Sequence, residues 1–479
     1  MSSHSAFRAP HSAFGHSRRH FLATSFGGLA LSHLLAHADT PKPDPKLNGG
    51  LHHKAKAKRV VQIFLNGGMS QMDTFDYKPE LIKQHGKVVD IGLKATATGT
   101  PGPAMKSPFA WKQHGECGRW VTDVFPHLAG HVDDMAFLMA LASKSSVHGP
   151  AAYLQTTGFI TPGFPAAGAW VGYALGQLAD DLPAFVVLPD SRGLPYNGNG
   201  NFSAGFLPAQ HAGTVINPAA PSPIVDLAPP KDARFVTPVA SADGLELLQQ
   251  MNQKFAAERP GDSRLSARVE SYELAAKMQL AAPEVFDLTK ETKETHAAYG
   301  TDRKGADGGF ARNCLLARRM LAKGVRFVQV WSGAGGPKDN WDNHGSIPKE
   351  LPPIAKQVDQ PVAALLADLK RTGLDQDTLV IFTTEFGRMP VTQNGDGRDH
   401  NGGTSVTWLA GAGVKGGTSY GESDDLSHLA ATDKTDVHDL HATALHLLGI
   451  DHTKLTVRHN GTDRRLTDVH GHVVNAVMA

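Results

Sequence analysis

"MAFLMALASKSSVHGPAAYLQTTG", residues 135–158, places an apolar run, Met135 to Leu141, directly before a polar connector. The run shows no alternation of polar and apolar residues, so it reads as a strand buried on both faces rather than one with a wet side. A plain connector needs only turn residues. This one instead delivers His148, then Gly149 and Pro150, then a short segment that closes on Thr157-Gly158. An imidazole at the end of a doubly buried strand raises the question of what the other strand ends carry.

Five more runs have the same character: Val60 to Leu65, Ala184 to Leu188, Val325 to Trp331, Leu379 to Thr383 and Val406 to Ala410. Helical periodicity separates many of them. Pro352 and Pro353 suit a helix first turn, after which Ile354, Val358, Val362, Leu365 and Leu369 keep one apolar stripe. Asp436 suits the N-cap of another helix, with Leu440, Ala444, Leu447 and Leu448 inside and Gly449 as its stop. Strand, helix, strand repeated in this way predicts an α/β fold with a mostly parallel sheet.

Open parallel sheets bind ligands beyond the carboxyl ends of their strands. The connectors there are chemically loaded. The first run is followed by Asn66-Gly67-Gly68 and Asp73, the second by His148. The run at 325–331 leads to Asp342 and His344, and the run at 379–383 to Glu385, Arg388, Asp399 and His400. Imidazole and carboxylate are natural ligands for zinc or a harder divalent ion, and arginine suits an oxyanion. Each residue also has a plain reading: Glu385 paired with Arg388 or Arg398, and Asp342 and His344 as surface or capping groups.

The 479 residues are 41% hydrophobic and 19% charged with a net charge of +1, so no basic footprint points to nucleic acid. Cys117 and Cys314 form no C-x-x-C pair, which excludes a thiolate zinc site; whether they pair with each other stays open. Ser17-Arg18-Arg19-His20-Phe21-Leu22, a mildly apolar stretch to Leu35 and Ala36-His37-Ala38 together read as a twin-arginine signal peptide over 1–38. The expected location is therefore periplasmic, reached through the twin-arginine machinery. No later stretch offers the ~18 uninterrupted apolar residues of a membrane span. Residues 39–58 read as a solvated linker, 59–479 as one domain, and 190–235 as an irregular Gly/Asn/Pro-rich insertion over a site. Helices are expected near 242–258 and 264–281.

The segments "IFLNGGMSQMDTFDYKP", "HGPAAYLQTTG", "WDNHG", "TTEFGRMP", "GRDHN" and "DVHDLHATALHLLGI" resemble the exported domain of unknown function 1501 family, grouped with alkaline phosphatases and sulfatases. The resemblance implies a three-layer sandwich with helices on both faces of the sheet. Laid on the sulfatase pattern, Pro150 and Thr157-Gly158 match its frame, while His148 falls on the nucleophile and Ala152 on its arginine. Asn66 stands where a metal-binding aspartate is usual, and Glu385-Phe386 where Asp-His is usual. Cys314, by contrast, reads as core in an amphipathic helix.

What the resemblance implies is one divalent ion (Zn, Ca, Mg or Mn) held by Asp342, His344, Glu385 and His400. Arg388 would offset substrate charge and His148 would act as base or nucleophile, with Asn66, Asp73 and Asp399 as secondary candidates. The expected activity is hydrolysis of phosphate or sulfate esters of small molecules or polymers. The alternatives are an inactive binding or scaffold protein, and a carbohydrate-binding module using the 190–235 insertion.

Overall fold

All six apolar runs form strands of one sheet in the computed structural model, which describes residues 51–92, 101–218, 238–258 and 284–479. In chain order the strands used below are β1 (Arg59–Leu65), β2 (Met135–Ala142), β3 (Phe185–Leu188), β4 (Thr214–Val215), β5 (Phe327–Ser332) and β6 (Thr378–Thr384). They continue with β7 (Gly387–Gln393), β8 (Gly397–Asn401), β9 (Ser405–Gly411), β10 (Thr418–Tyr420) and β11 (Thr435–Asp436). The nine-stranded sheet runs β10-β2-β9-β6-β1-β5-β3-β4, with β11 also pairing β2.

Every pairing is parallel except those of β9, which runs antiparallel to both β2 and β6. The reason is local. Between β6 and β9 the chain makes the antiparallel β7–β8 ribbon and no crossover helix. Without a crossover of a dozen or more residues it can only return in the opposite direction. Because two antiparallel steps restore direction, β2 runs parallel to β1, β5 and β6. The connectors after all four strands therefore emerge at one edge.

The helices used below are α1 (His148–Thr157), α2 (Ala167–Leu175), α3 (Pro238–Ala257), α4 (Gly305–Ala322), α5 (Ile347–Thr372) and α6 (Val437–Leu447). Successive β1 side chains point to opposite faces. Val61, Ile63 and Leu65 join one core with Leu315 of α4 and Val358 of α5, whereas Val60 and Phe64 join another with Trp170 of α2 and Leu440 of α6. Helices thus cover both faces, giving three layers. The expected helix near 242–258 is α3; the one expected near 264–281 lies outside the described residues, as does the segment read as a signal peptide.

Three expectations need correction. Pro352 and Pro353 lie inside α5, not in its first turn: the helix starts at Ile347, with Pro348 in its first turn. The apolar stripe tolerates them because Ile354, Val358, Val362, Leu365 and Leu369 are all buried, each worth roughly 1.5–3 kcal/mol on full burial. Pro361, also internal, has no N–H for the Gln357 carbonyl, and Arg303 Nη2 donates to that carbonyl instead, at 3.3 Å.

The second correction concerns the linker. Residues 39–50 lie outside the described residues, but His52, His53, Lys56 and Ala57 hydrogen-bond the carbonyls of Leu447 and Gly449 at the end of α6. Third, the part of the insertion that is described, 190–218, packs buried side chains such as Asn201, Phe202 and Leu207 and adds edge strand β4. Cys117 is exposed and Cys314 is buried in α4, both as free thiols. Among the described residues no helix is long and apolar enough to cross a membrane.

Helix α6 follows its predicted cap: Asp436 accepts from the N–H groups of His438 and Asp439, and Asp439 returns a bond to the Asp436 N–H. The same helix buries His441, whose imidazole is pushed down to about 3 by burial and by the charge of His438. Below the ordinary value near 6.5 the unfolded chain takes up a proton that the folded chain refuses. Stability is therefore expected to fall as pH drops from about 6.5 toward 3, by roughly 2 kcal/mol at pH 5 from this residue. Urea unfolding at pH 7 and pH 5 checks this; His441→Leu should make the acid-side slope shallower.

Candidate functional site

At the carboxyl edge, Asn66 and Gly67 leave β1 and pass beneath the Trp341–Asp342 backbone. A Cβ on Gly67 would stand 2.6 Å from the Asp342 nitrogen, and its φ of +123° suits glycine alone. The Asn66 carbonyl accepts the Trp341 N–H at 3.0 Å, and the Gly67 N–H donates to Glu385 Oε1 at 2.7 Å. The first of these bonds joins the β1 and β5 connectors through backbone alone, and the second ties in the Glu385 carboxylate.

Three imidazoles surround the Asp342 carboxylate. His344 Nε2 lies 2.9 Å and His400 Nε2 3.1 Å from Oδ1, and His148 Nε2 lies 3.3 Å from Oδ2. The other ring nitrogen of each is anchored on an acceptor. His148 Nδ1 donates to Glu385 Oε1 at 2.8 Å, His400 Nδ1 donates to the Ser146 carbonyl at 2.8 Å, and His344 Nδ1 donates to Gln393 Oε1. When these rings are neutral, each anchor fixes the tautomer that turns the Nε2 lone pair inward.

Two of those lone pairs face each other, with His344 Nε2 and His400 Nε2 only 2.8 Å apart. His148 Nε2 is buried and faces Asp342 Oδ2. Lone pairs converging beside a carboxylate repel one another unless a cation or a proton joins them. This is the donor chemistry of a divalent-metal site, including the outer anchors that orient ligating histidines. His148, Asp342 and His400 form one group with metal-ligand spacing, and His344, Asp399 and His400 form another.

The electrostatics agree. Burial pushes the His148 imidazole down, but the hydrogen bonds and charges of Asp342 and Glu385 outweigh it and raise it to about 9. Burial pushes the Asp342 carboxyl up, yet His148, His344, His400 and Arg388 hold it far below the usual carboxylate range. His400 is lowered, first by burial and then by the charges of Arg388 and His148, against the pull of Asp342. The pocket is thus built to hold positive charge next to Asp342.

The other candidate residues fall into place around this cluster. Glu385 is fully buried behind His148: Oε1 takes the His148 and Gly67 N–H groups, and Oε2 accepts the Thr384 hydroxyl at 3.2 Å. Arg388 is 0% exposed, and its five N–H groups are all engaged. They reach the carbonyls of Gly67, Gly68, Trp341 and Arg398, then Asp342 Oδ1 at 2.7 Å and His344 Nε2 at 3.5 Å. The guanidinium fastens the connectors together and offers no donor outward.

Asp73 is not brought to the cluster; it forms a buried pair with Arg398, Nε to Oδ2 at 2.6 Å. Asn66 is buried, with Nδ2 on the Ala334 carbonyl and Oδ1 without a partner. Asp399 stands at the mouth, 4.0 Å from His344 Nδ1, and accepts the His400 backbone N–H.

Sequence reasoning missed two neighbours. Tyr196, from the Gly/Asn/Pro-rich segment, stacks on the His148 ring with centroids 4.4 Å apart and planes 10° from parallel. Its hydroxyl donates to the Gly336 carbonyl at 2.7 Å, tying that segment to the β5 connector. Gln393, the anchor of His344, has no spacing signature. An aromatic residue inside a stretch already suspected of covering a site was the one available signal.

The family model described as "Protein of unknown function (DUF1501)" matches residues 57–478. No curated protein sequence matches the chain. Among solved structures, the chain is similar to Ps i-CgsB at 12% identity, covering 82% of this chain and 72% of that one with a TM-score of 0.38. It is also similar to the lipoteichoic acid synthase LtaP from Listeria monocytogenes, at 10% identity, 86% and 76% coverage and a TM-score of 0.35. A third is the PsFucS1 sulfatase from Pseudoalteromonas sp., at 12% identity, 85% and 74% coverage and a TM-score of 0.35.

Proposed function

The chain belongs to the DUF1501 family, whose description names no activity, and from the geometry of its strand-end cluster we propose that it is an exported metal-dependent hydrolase of phosphate or sulfate esters. The observation that carries this reading is the convergence of anchored imidazoles on Asp342, with His344 and His400 Nε2 2.8 Å apart. Asp342, His344 and His400 would hold one divalent ion. When bound there, the ion supplies Lewis-acid polarisation of a phosphoryl or sulfuryl oxygen.

The protein's own groups have distinct parts. His148, held by Glu385 and stacked under Tyr196, keeps Nε2 at the cluster, where it takes or returns a proton. Glu385 acts through His148 and is a positioning residue rather than a ligand in this reading. Arg388 fixes Asp342 against the β1 connector and does not meet substrate. Asp399 and His344, the more exposed members, mark the side from which substrate enters. A twin-arginine signal over 1–38 would fit this proposal, since that route exports protein that has already folded.

A second reading, a binding or scaffold protein without turnover, is favoured by the inward-facing Arg388 and by Ala152 at the sulfatase arginine position. One experiment separates the two. Metal analysis of the purified protein should find about one divalent ion per chain, lost in the His344→Ala, His400→Ala double variant. The loaded protein should then cleave aryl phosphates or sulfates. Stoichiometric metal with no turnover of either ester selects the second reading, and metal-free folded protein rejects the first.

A further inference from the structure

Away from the strand-end cluster, a cleft of about 350 Å³ opens along the outer edge of β2, between Met139 and the β10 turn. Tyr77, Trp120 and Tyr420 line it, together with Arg119, Glu422 and Asp433. The hairpin pairing Trp111–His114 with Arg119–Thr122 builds one wall, and Tyr77 packs on it, stacked against Trp120 with centroids 4.3 Å apart. None of these residues takes part in the site described above.

Arg119 is the unusual member. Its guanidinium lies over the Phe137 ring, 4.6 Å from the centroid, and Nη1 points at Met139 Sδ, 3.5 Å away. Among the described residues it meets no oxygen acceptor. Burial without a hydrogen-bonded carboxylate lowers its affinity for its proton, which marks the guanidinium as poorly solvated. By contrast Lys78, beside it, is already engaged by Asp76 at 3.4 Å and by the Ser423 carbonyl at 3.0 Å.

The ligand chemistry follows from what is left over. Arg119 has donors to give. Among the described residues the carboxylates of Glu422 and Asp433 accept no side-chain hydrogen bond, and the Tyr420 hydroxyl makes none. A purely anionic ligand would meet the two carboxylates, and a purely cationic one would meet Arg119. Vicinal hydroxyls donate and accept at once, and the C–H face of a pyranose packs on aromatic rings. The volume is at the small end of ligand pockets, enough for one or two sugar units. We propose that this cleft is a saccharide-binding site, separate from the metal cluster and independent of whether that cluster is catalytic.

The test is titration of the full chain, followed by tryptophan fluorescence and calorimetry, with a neutral disaccharide, a uronate-containing disaccharide and a sulfated disaccharide. At least one should saturate with a Kd in the millimolar range or tighter. Arg119→Met and Trp120→Ala should each weaken it ~10-fold or more, the scale of one lost charge-assisted bond or stacked ring. Asp342→Asn should leave the Kd unchanged, and circular dichroism shows whether the Arg119 and Trp120 variants fold. The surface change Glu422→Gln, which leaves the hairpin intact, should weaken binding several-fold. Preference for the uronate or sulfated probe would place the acidic group on Arg119, whereas equal binding of the neutral one would assign Arg119 to hydroxyls. Absence of saturation by all three probes at ~20 mM overturns the proposal, as does binding that survives both Arg119→Met and Trp120→Ala.

Discussion

Asp342→Asn is expected to lower divalent-metal affinity by on the order of 10³-fold and to reduce any ester hydrolysis to background. Removing an outer anchor of a metal ligand typically costs 10–100-fold, and Asp342 is the central group on which the imidazoles converge. The amide keeps the shape but not the charge, and whichever way it turns, one of the two positions now carries N–H groups. Turned toward Arg388 those hydrogens meet another donor; turned toward His148 they leave a neutral amide oxygen, a weaker ligand than a carboxylate, for the cation.

Calorimetric titration with zinc and with manganese, on protein stripped by chelator, measures the loss directly. A folded Asn variant that still binds one equivalent within tenfold of the parent would remove Asp342 from the ligand set. It would move the metal, if one is held, to the His344, Asp399 and His400 group at the mouth.

Much of this arrangement was legible in the chain because it depends on backbone direction alone. Six apolar runs became six buried strands, and the rule that parallel strands present their carboxyl ends on one edge was enough to bring His148, Asp342, His344, Glu385 and His400 together. The β9 reversal did not disturb this, since β9 is antiparallel to both neighbours and β2 beyond it runs parallel to β6 again.

What could not be read is the depth and direction of each side chain. Glu385 follows a buried strand, as a ligand would, but the register that pairs β1 with β6 sets it behind His148 rather than beside Asp342. His148 and Tyr196 are 48 positions apart, and no periodicity links them. The prolines of α5 misled for a different reason: Pro348 already occupies the first turn of a helix that starts at Ile347, and Pro352 and Pro353 fall one turn further in.

Arg388→Met is expected to destabilise the protein by about 3–5 kcal/mol, the range seen when one partner of a buried ion pair is removed. Sequence alone suggested an arginine waiting for an anionic substrate, and such a residue would be nearly silent in a stability measurement. The structure argues the opposite. The guanidinium is fully buried and holds the carbonyls of Gly67, Gly68, Trp341 and Arg398 as well as Asp342. Methionine fills similar volume but leaves those carbonyls and one carboxylate without their donor, in a place water does not reach. Lysine should not rescue, because a single ammonium cannot span acceptors on three connectors in the way a planar fork does. Urea unfolding of the metal-free protein, with Arg388→Lys alongside, is the measurement. A loss under about 1 kcal/mol with turnover abolished would return Arg388 to the substrate. A loss of several kcal/mol would mean that Arg388 serves the fold, leaving a bound metal ion and the histidines to meet the charge of any ester.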